Sequence, residues 1–284
     1  MRHKPATHCT TIVSYAVNLL QVELLKKNAD KICEFLTACA ICHTASPDKN
    51  TAFSERPLYH ATSPDEHALL KFASDAGFIF KRRSSGKIIV DMLGTISEFE
   101  LMAILEFNSD RKRMSVIVRD SKGTYKLYIK GADQMIFDRL IDVSQKEMKR
   151  TSGHLQQFAY QGYRTLCFAV KIINNDIFAK WYEKYNNTIA DVKNRREKLA
   201  QLAEEIEKDL CLIGVSAIED RLQKDVPETV ARLLLAGIRV WVLTGDKLET
   251  AVNIGNSCHL LQAGAPMVVL SSTDASVVKE ELSK

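Results

Sequence analysis

Between residues 78 and 130 five short apolar-rich runs, separated by polar and turn residues, alternate like the strands of an antiparallel sheet. They are Phe78-Ile79-Phe80, Ile88-Ile89-Val90, Ile104-Leu105-Glu106-Phe107, Met114 to Arg119, and Tyr125 to Lys130. Successive residues of a strand face opposite sides of a sheet, so a period of two marks a strand with one face turned to a core. Asp120-Ser121-Lys122-Gly123 between the last two runs has the residues of a hairpin turn. This block predicts an antiparallel sheet, and the rest of the chain is read around it.

Residues 19–42 carry apolar positions at three- and four-residue steps and predict a helix. Cys39-Ala40-Ile41-Cys42-His43 matches a CxxCH pattern, but it lies on that helix's apolar face and lacks a second ligand pair, so core cysteines are the preferred reading. After a polar loop, Ser46 to Pro57, a second helix is expected up to about Ala76, with Gly77 just beyond its end. Ser63 as N-cap, Pro64 at the first helical position and Glu66 two residues on read as a capping box, which does not exclude a ligand contact by Glu66. Phe107 precedes the cationic run Arg111-Lys112-Arg113. That arrangement either stacks a base and attracts phosphates or is a buried Phe beside solvated charges. Lys130-Gly131-Ala132-Asp133 ends a strand and starts a helix, with Asp133 as the expected N-cap. Lys130 closes an otherwise hydrophobic strand, so it either snorkels out or points into a polar pocket. A helix at about 145–160, a strand at Leu166 to Val170, and a charged surface helix over 178–208 follow.

From Leu210 the pattern changes to βαβα. Strands are expected at Leu212 to Ile218, Ile238 to Leu243 and Pro266 to Leu270, with helices at Val226 to Ala236, after Thr244-Gly245-Asp246, and from Ser272. The short apolar run Ile238 to Leu243 reads as a strand buried on both faces of a parallel sheet. The turn after it, at a helix start, either receives a phosphate and a hard cation such as Mg²⁺ or is an ordinary loop capped by Asp246.

Composition narrows the function classes. A net charge of +4 without a dense Lys/Arg stripe gives no support for nucleic-acid binding. Seven cysteines without a regular framework suit free thiols in a reducing compartment. No run approaches the ~20 apolar residues of a membrane helix, and no signal-peptide pattern opens the chain. Walker A, GxSxG and HExxH patterns are absent from the sequence.

Seven motifs in order resemble the P-type ATPases, and within them the phospholipid-transporting class, the flippases. They are CHT at Cys42 to Thr44, SPDE at Ser63 to Glu66, FNSxRKRMSVIV at Phe107 to Val118, KGAD at Lys130 to Asp133, YRTLCFA at Tyr163 to Ala169, AIEDRLQ at Ala217 to Gln223, and VLTGDKxETAxNIG at Val242 to Gly255. The resemblance implies an α/β protein. Residues 19–209 would form an α+β nucleotide-binding domain on an antiparallel sheet, with its lead-in. Residues 210–284 would form part of a haloacid-dehalogenase-like parallel α/β phosphorylation domain, and residues 1–18 stay unassigned. It implies ATP and Mg²⁺ as cofactors, an aspartyl-phosphate intermediate, and movement of a phospholipid to the cytosolic leaflet by a multi-pass membrane parent. The segment present would be cytosolic, and an accessory membrane subunit fits the same picture. By the same resemblance Phe107 stacks on adenine with Glu66 near the base, Lys130 lines the pocket, Arg164 reaches the phosphates, and Thr244, Gly245 and Asp246 face the phosphorylation site. The DKTGT motif with its phosphorylated Asp and the GDGxND motif are both absent from these residues, so the catalytic Asp and the Mg²⁺ ligands are expected outside them. A stand-alone nucleotide-binding module or regulator is the alternative. A soluble dehalogenase-type phosphatase would need a nucleophilic Asp that the sequence does not offer.

Overall fold

The computed structural model describes residues 29–284 apart from short stretches at 49–50, 52–53, 55, 85, 142–144, 192–193, 220–221, 246–247, 262–266, 271–273 and 283–284. Residues 1–18, and the first part of the helix expected from residue 19, lie outside the described residues. The described chain divides into two compact units. One runs through Leu155 and resumes over Thr165–Ile218; the other combines Gln156–Arg164 with the residues from Glu219 onward.

The first unit is built on one seven-stranded sheet whose spatial order follows the chain: β3 (Phe78–Ser84), β4 (Lys87–Met92), β5 (Thr95–Leu105), β6 (Arg113–Arg119), β7 (Tyr125–Gly131), β8 (Tyr163–Ile173) and β9 (Cys211–Glu219). Strands β3 to β8 pair antiparallel, as the alternation predicts. A small separate pair, β1 (Ser46–Pro47) and β2 (Tyr59–His60), brackets the polar loop.

Both faces of this sheet are covered, and the period of two sorts its residues between two cores. On one face Phe80, Val90, Val116, Val118, Tyr128 and Phe168 pack with α1 (Ala29–Ile41) and α2 (Pro64–Asp75) through Leu36, Cys39, Leu70 and Ala73. On the other, Ile117, Leu127, Ile129, Cys167 and Ala169 meet four helices. These are α3 (Asp133–Phe137), α4 (Gln145–Tyr160), α5 (Asn175–Ala190) and α6 (Arg195–Ile206). Because the central strands are buried on both sides, β6 reads as an almost unbroken apolar run.

The stretch expected as one surface helix over 178–208 is two helices, α5 and α6, and both are packed. Phe178, Trp181 and Tyr185 of α5 are buried, and the Trp181 indole N–H donates to the Leu202 carbonyl at 2.8 Å, tying one helix to the other. The aromatic residues at 178, 181 and 185 carry the buried face of α5, whereas Ile189 is 39% exposed. Asp133 is the first residue of α3 rather than its cap. Ala132 holds the extended N-cap position because its N–H is committed to the Lys112 carbonyl at 3.0 Å.

The second unit contains α7 (Val226–Leu235), α8 (Leu248–Ser257) and α9 (Ala275–Leu282), which match the helices expected there. The strands do not match. The run at 211–219 pairs next to β8 in the antiparallel sheet instead of opening a parallel one. Ile238 to Leu243 and Met267 to Leu270 form no strand and are largely exposed, Leu243 to 96%. A strand needs a neighbour to satisfy its backbone groups. Neither run is paired in a sheet among the described residues. The mixed α/β class holds, and its regular sheet is the antiparallel one.

His43, just after α1, gives the first unit a pH dependence. It is 1% exposed, with its ring edge-on to Phe80 at 4.6 Å and Nε2 2.8 Å from the Ala40 carbonyl oxygen. Burial, reinforced by the Arg83 and Lys130 charges, holds its pKa well below the ordinary value. In the unfolded chain the same imidazole takes a proton near pH 6.5. Stability from this group is therefore complete above about pH 6.5 and falls as pH drops below it, by up to ~1.4 kcal/mol per pH unit. Urea midpoints at pH 7.5 and pH 5.5 should show this decline, and His43→Phe should flatten it. An unchanged pH slope in the variant would exclude His43 as its source.

Candidate functional site

The site forms where β6, β7 and α2 converge. Lys130 alternates onto the same face as Tyr128, the face covered by α1 and α2. The β6–β7 register sets Met114 opposite Lys130 and Arg113 opposite Gly131. Only glycine fits at 131: a Cβ there would lie 2.5 Å from Arg113 Cβ and 2.8 Å from the Lys112 carbonyl oxygen. That is far inside van der Waals contact.

Lys130 does not snorkel. It is 8% exposed, and its Nζ donates to Glu66 Oε1 at 3.2 Å. The Glu66 carboxylate also accepts from the Thr44 backbone N–H at 3.2–3.3 Å and from Thr44 Oγ1 at 3.0 Å. Glu66 therefore does not complete a capping box. Ser63 does occupy the N-cap of α2, with Pro64 following, but its side chain makes no capping bond. Charge-assisted bonds to an ammonium are stronger than a neutral cap, and they claim the carboxylate. Its place in the first turn of α2 remains favourable for a negative charge. Beneath this pair, burial pushes the Cys42 thiol up to about 12 and raises Cys39 as well. Both are buried thiols of the core, as expected for that CxxCH run.

Above the Lys130–Glu66 pair opens a cleft of about 670 Å³. Met114, Leu166 and Phe107 supply its apolar surface, and Thr44, Thr62, Ser63 and Gly131 its small polar wall. Asp65, Glu66, Glu106 and Lys130 are its charged members. Phe107 is 63% exposed, so the reading of a buried Phe is reversed: its ring is open to a flat partner. The cationic run behind it is also reversed. Arg111 and Arg113 are 8% and 1% exposed, turned inward onto α6. Glu207, fully buried at the end of that helix, accepts from Arg111 Nη2 at 2.5 Å, Arg113 Nε at 2.7 Å and Ser115 Oγ at 2.6 Å. Glu204 bridges Arg113 and Arg139. With three carboxylates against one ammonium, and its nearest arginines committed elsewhere, the cleft suits a flat polar ring and a sugar better than a polyphosphate.

The P-type ATPase cytoplasmic domain N family matches residues 31–225, more than half of the chain. The chain belongs to the P-type ATPases. It is 44% identical over 264 residues to the human "Probable phospholipid-transporting ATPase IM", covering 93% of this chain and 22% of that protein. To "Phospholipid-transporting ATPase dnf2" of Schizosaccharomyces pombe it is 46% identical over 236 residues, 83% of this chain and 17% of the other. To "Phospholipid-transporting ATPase DNF1" of Chaetomium thermophilum it is 43% identical over 248 residues, 87% and 16%. The chain thus spans about a fifth of the length of these relatives.

Of the residues singled out in this P-type ATPase sequence, the structure brings Glu66, Phe107 and Lys130 together in one cleft. Arg164 sits at the start of β8, half-buried, in the second compact unit and outside the cleft lining. Thr244 and Gly245 are exposed in an irregular stretch of that unit, and Asp246 lies outside the described residues. No group of three or more His, Cys, Asp or Glu among the described residues is arranged to hold a metal ion, and Glu66 is already committed to Thr44 and Lys130. No helix of the described residues is long and apolar enough to cross a membrane.

The sequence reading missed Thr44, Met114 and Leu166 as cleft residues. Thr44 stood inside the CHT run, and Met114 and Leu166 follow from the strand register once Lys130 is placed. It also missed Glu207, set among solvent-facing charges of the helix, for which no local signal exists. Removing one partner of a buried ion pair typically costs about 3–5 kcal/mol, whereas an exposed pair is worth under ~1. Arg113→Met should therefore lower stability on the order of 3 kcal/mol in urea unfolding. Lys184→Ala, which removes the exposed 3.0 Å pair with Glu205, should stay within about 0.5 kcal/mol.

Proposed function

We propose that the cleft receives the adenosine end of ATP, and that this chain is the nucleotide-binding part of an ATP-driven phospholipid translocase. One observation carries the reading: an exposed aromatic ring, Phe107, borders a cleft floored by a buried Lys130–Glu66 pair, inside the stretch that matches the P-type ATPase domain N. A purine stacks on the Phe107 face and covers apolar surface that water otherwise wets. The Glu66 carboxylate accepts from an exocyclic amino group, and Lys130 donates to a ring nitrogen, so the pair offers both hydrogen-bond senses to one base edge. The names of the relatives support the phospholipid substrate.

The phosphate end is assigned through the family likeness. Arg164 reaches the phosphates, and Thr244, Gly245 and Asp246 face the phosphorylation centre, where an Asp of a DKTGT motif takes the γ-phosphoryl group. Bound with the polyphosphate, Mg²⁺ would supply screening of its charge. A cleft rich in carboxylates then selects for the base and leaves phosphoryl chemistry to residues beyond it.

Two measurements on the chain test this. Stacking of a base on an aromatic side chain is worth about 1–3 kcal/mol, so Phe107→Ala should weaken ATP binding roughly tenfold in calorimetry. Because the ring is exposed, the melting temperature should hardly move. Lys130→Ala should weaken ATP as well, measured where a melting curve shows the variant folded, since it leaves Glu66 without its cation. Parent-like affinity in both variants would sink the cleft assignment. Incubated with ATP and Mg²⁺, the chain should form no hydroxylamine-sensitive acyl phosphate, because DKTGT is not in its sequence. Such an adduct would reveal a nucleophile elsewhere in these residues.

A further inference from the structure

The loop that carries Phe107 is fastened from outside the cleft. Arg111 spans two elements: Nη2 donates to Glu207 Oε1 at 2.5 Å, while Nη1 donates to the Glu106 carbonyl at 2.7 Å, one residue before Phe107. The turn between is closed by Asn108, whose side-chain oxygen accepts from Arg111 N–H at 2.7 Å and whose carbonyl accepts from Lys112 N–H at 2.8 Å. Lys112 takes a left-handed conformation, φ 48°, at the tightest point. On the far side Arg113 is held by the same carboxylate through Nε at 2.7 Å. Both ends of the turn therefore refer back to one group, Glu207, about a hundred residues later in the chain. Glu207 does not line the cleft.

We infer that Glu207 is a positioning residue for nucleotide binding: through Arg111 it fixes the Glu106 carbonyl and so holds the exposed Phe107 ring at the cleft. The inference rests on the reading of the cleft as an adenosine site. An exposed aromatic on a loop would otherwise sample many orientations, and each one lost on binding lowers affinity. A guanidinium suits this task because its planar fork can donate to a carboxylate and a carbonyl at once, which a lysine ammonium does not reproduce in the same geometry. The carboxylate is fully buried and accepts from Arg111, Arg113 and Ser115, so it cannot swing away without stranding charges.

A double-mutant cycle on the 284-residue chain tests the inference, with ATP as the ligand and calorimetry as the readout. Glu207→Gln should raise the ATP Kd roughly three- to tenfold in the parent background and change it little when Phe107 is already Ala, since residues acting through one another are not additive. Arg111→Lys should give the same pattern, and it replaces Glu207→Gln in the cycle if that variant does not fold. Tyr59→Phe removes a buried bond to the Phe80 carbonyl, away from the loop and from α6, and should leave ATP affinity unchanged, which separates positioning from general loosening. If Phe107→Ala and Lys130→Ala both leave binding parent-like, the adenosine reading fails; if only Phe107→Ala has no effect, the ring is not a contact and the positioning role is overturned. If Phe107→Ala weakens binding but the Glu207 or Arg111 effect is the same in both backgrounds, or absent, the positioning role is overturned.

Discussion

The pairing of β6 with β7 is the constraint on which the site depends. It places Lys130 opposite Met114 and lets Gly131 pass against Arg113. A slip of one residue would turn Lys130 to the other face, among Ile117, Leu127 and Ile129, where no carboxylate of α2 could meet it. The hairpin turn at Asp120 to Gly123 helps to fix the register. The Asp120 side chain accepts from the N–H groups of Lys122 and Thr124, both at 2.9 Å. The close approach at Gly131 fixes it again from the opposite end.

Two buried ionic groupings flank this pairing, and they differ in what they hold. Lys130 and Glu66 join the end of a central strand to the first turn of a helix. Glu207 and its arginines join the start of the neighbouring strand to the end of another helix on the opposite face. Taking charges out of water is costly, and buried pairs seldom improve stability over apolar packing. Here they set directions that apolar packing would leave loose: where the helix start stands relative to the strand end, and where the loop after β5 projects. The cleft lies between the two groupings, with its aromatic wall anchored by one and its floor formed by the other.

What the sequence made legible follows from the range of each interaction. The strands at 78–130 were readable because alternation is local, and each run is short enough to hold one phase. Lys130 was conspicuous because a cation at the end of an apolar strand breaks that local rule. Glu66 misled because a nearby Ser and Pro explain it as a cap, while its true partners, Thr44 and Lys130, are 22 and 64 residues away. Arg111 and Arg113 read as solvated because their counter-charges, Glu204 and Glu207, are more than 90 residues distant. The run at 238–243 has the composition of a buried strand, but composition cannot supply the neighbouring strand that would make it one.

Trp181 and Trp241 are the only tryptophans, and each belongs to a different compact unit. Trp181 is 4% exposed, between aromatic neighbours and bonded to the Leu202 carbonyl; Trp241 is 80% exposed. The chain thus carries a blue-emitting probe in the sheet-bearing unit and a red-emitting one in the other. Quenchers dissolved in water reach the second and hardly touch the first, so one emission spectrum resolves the state of each unit without any added label.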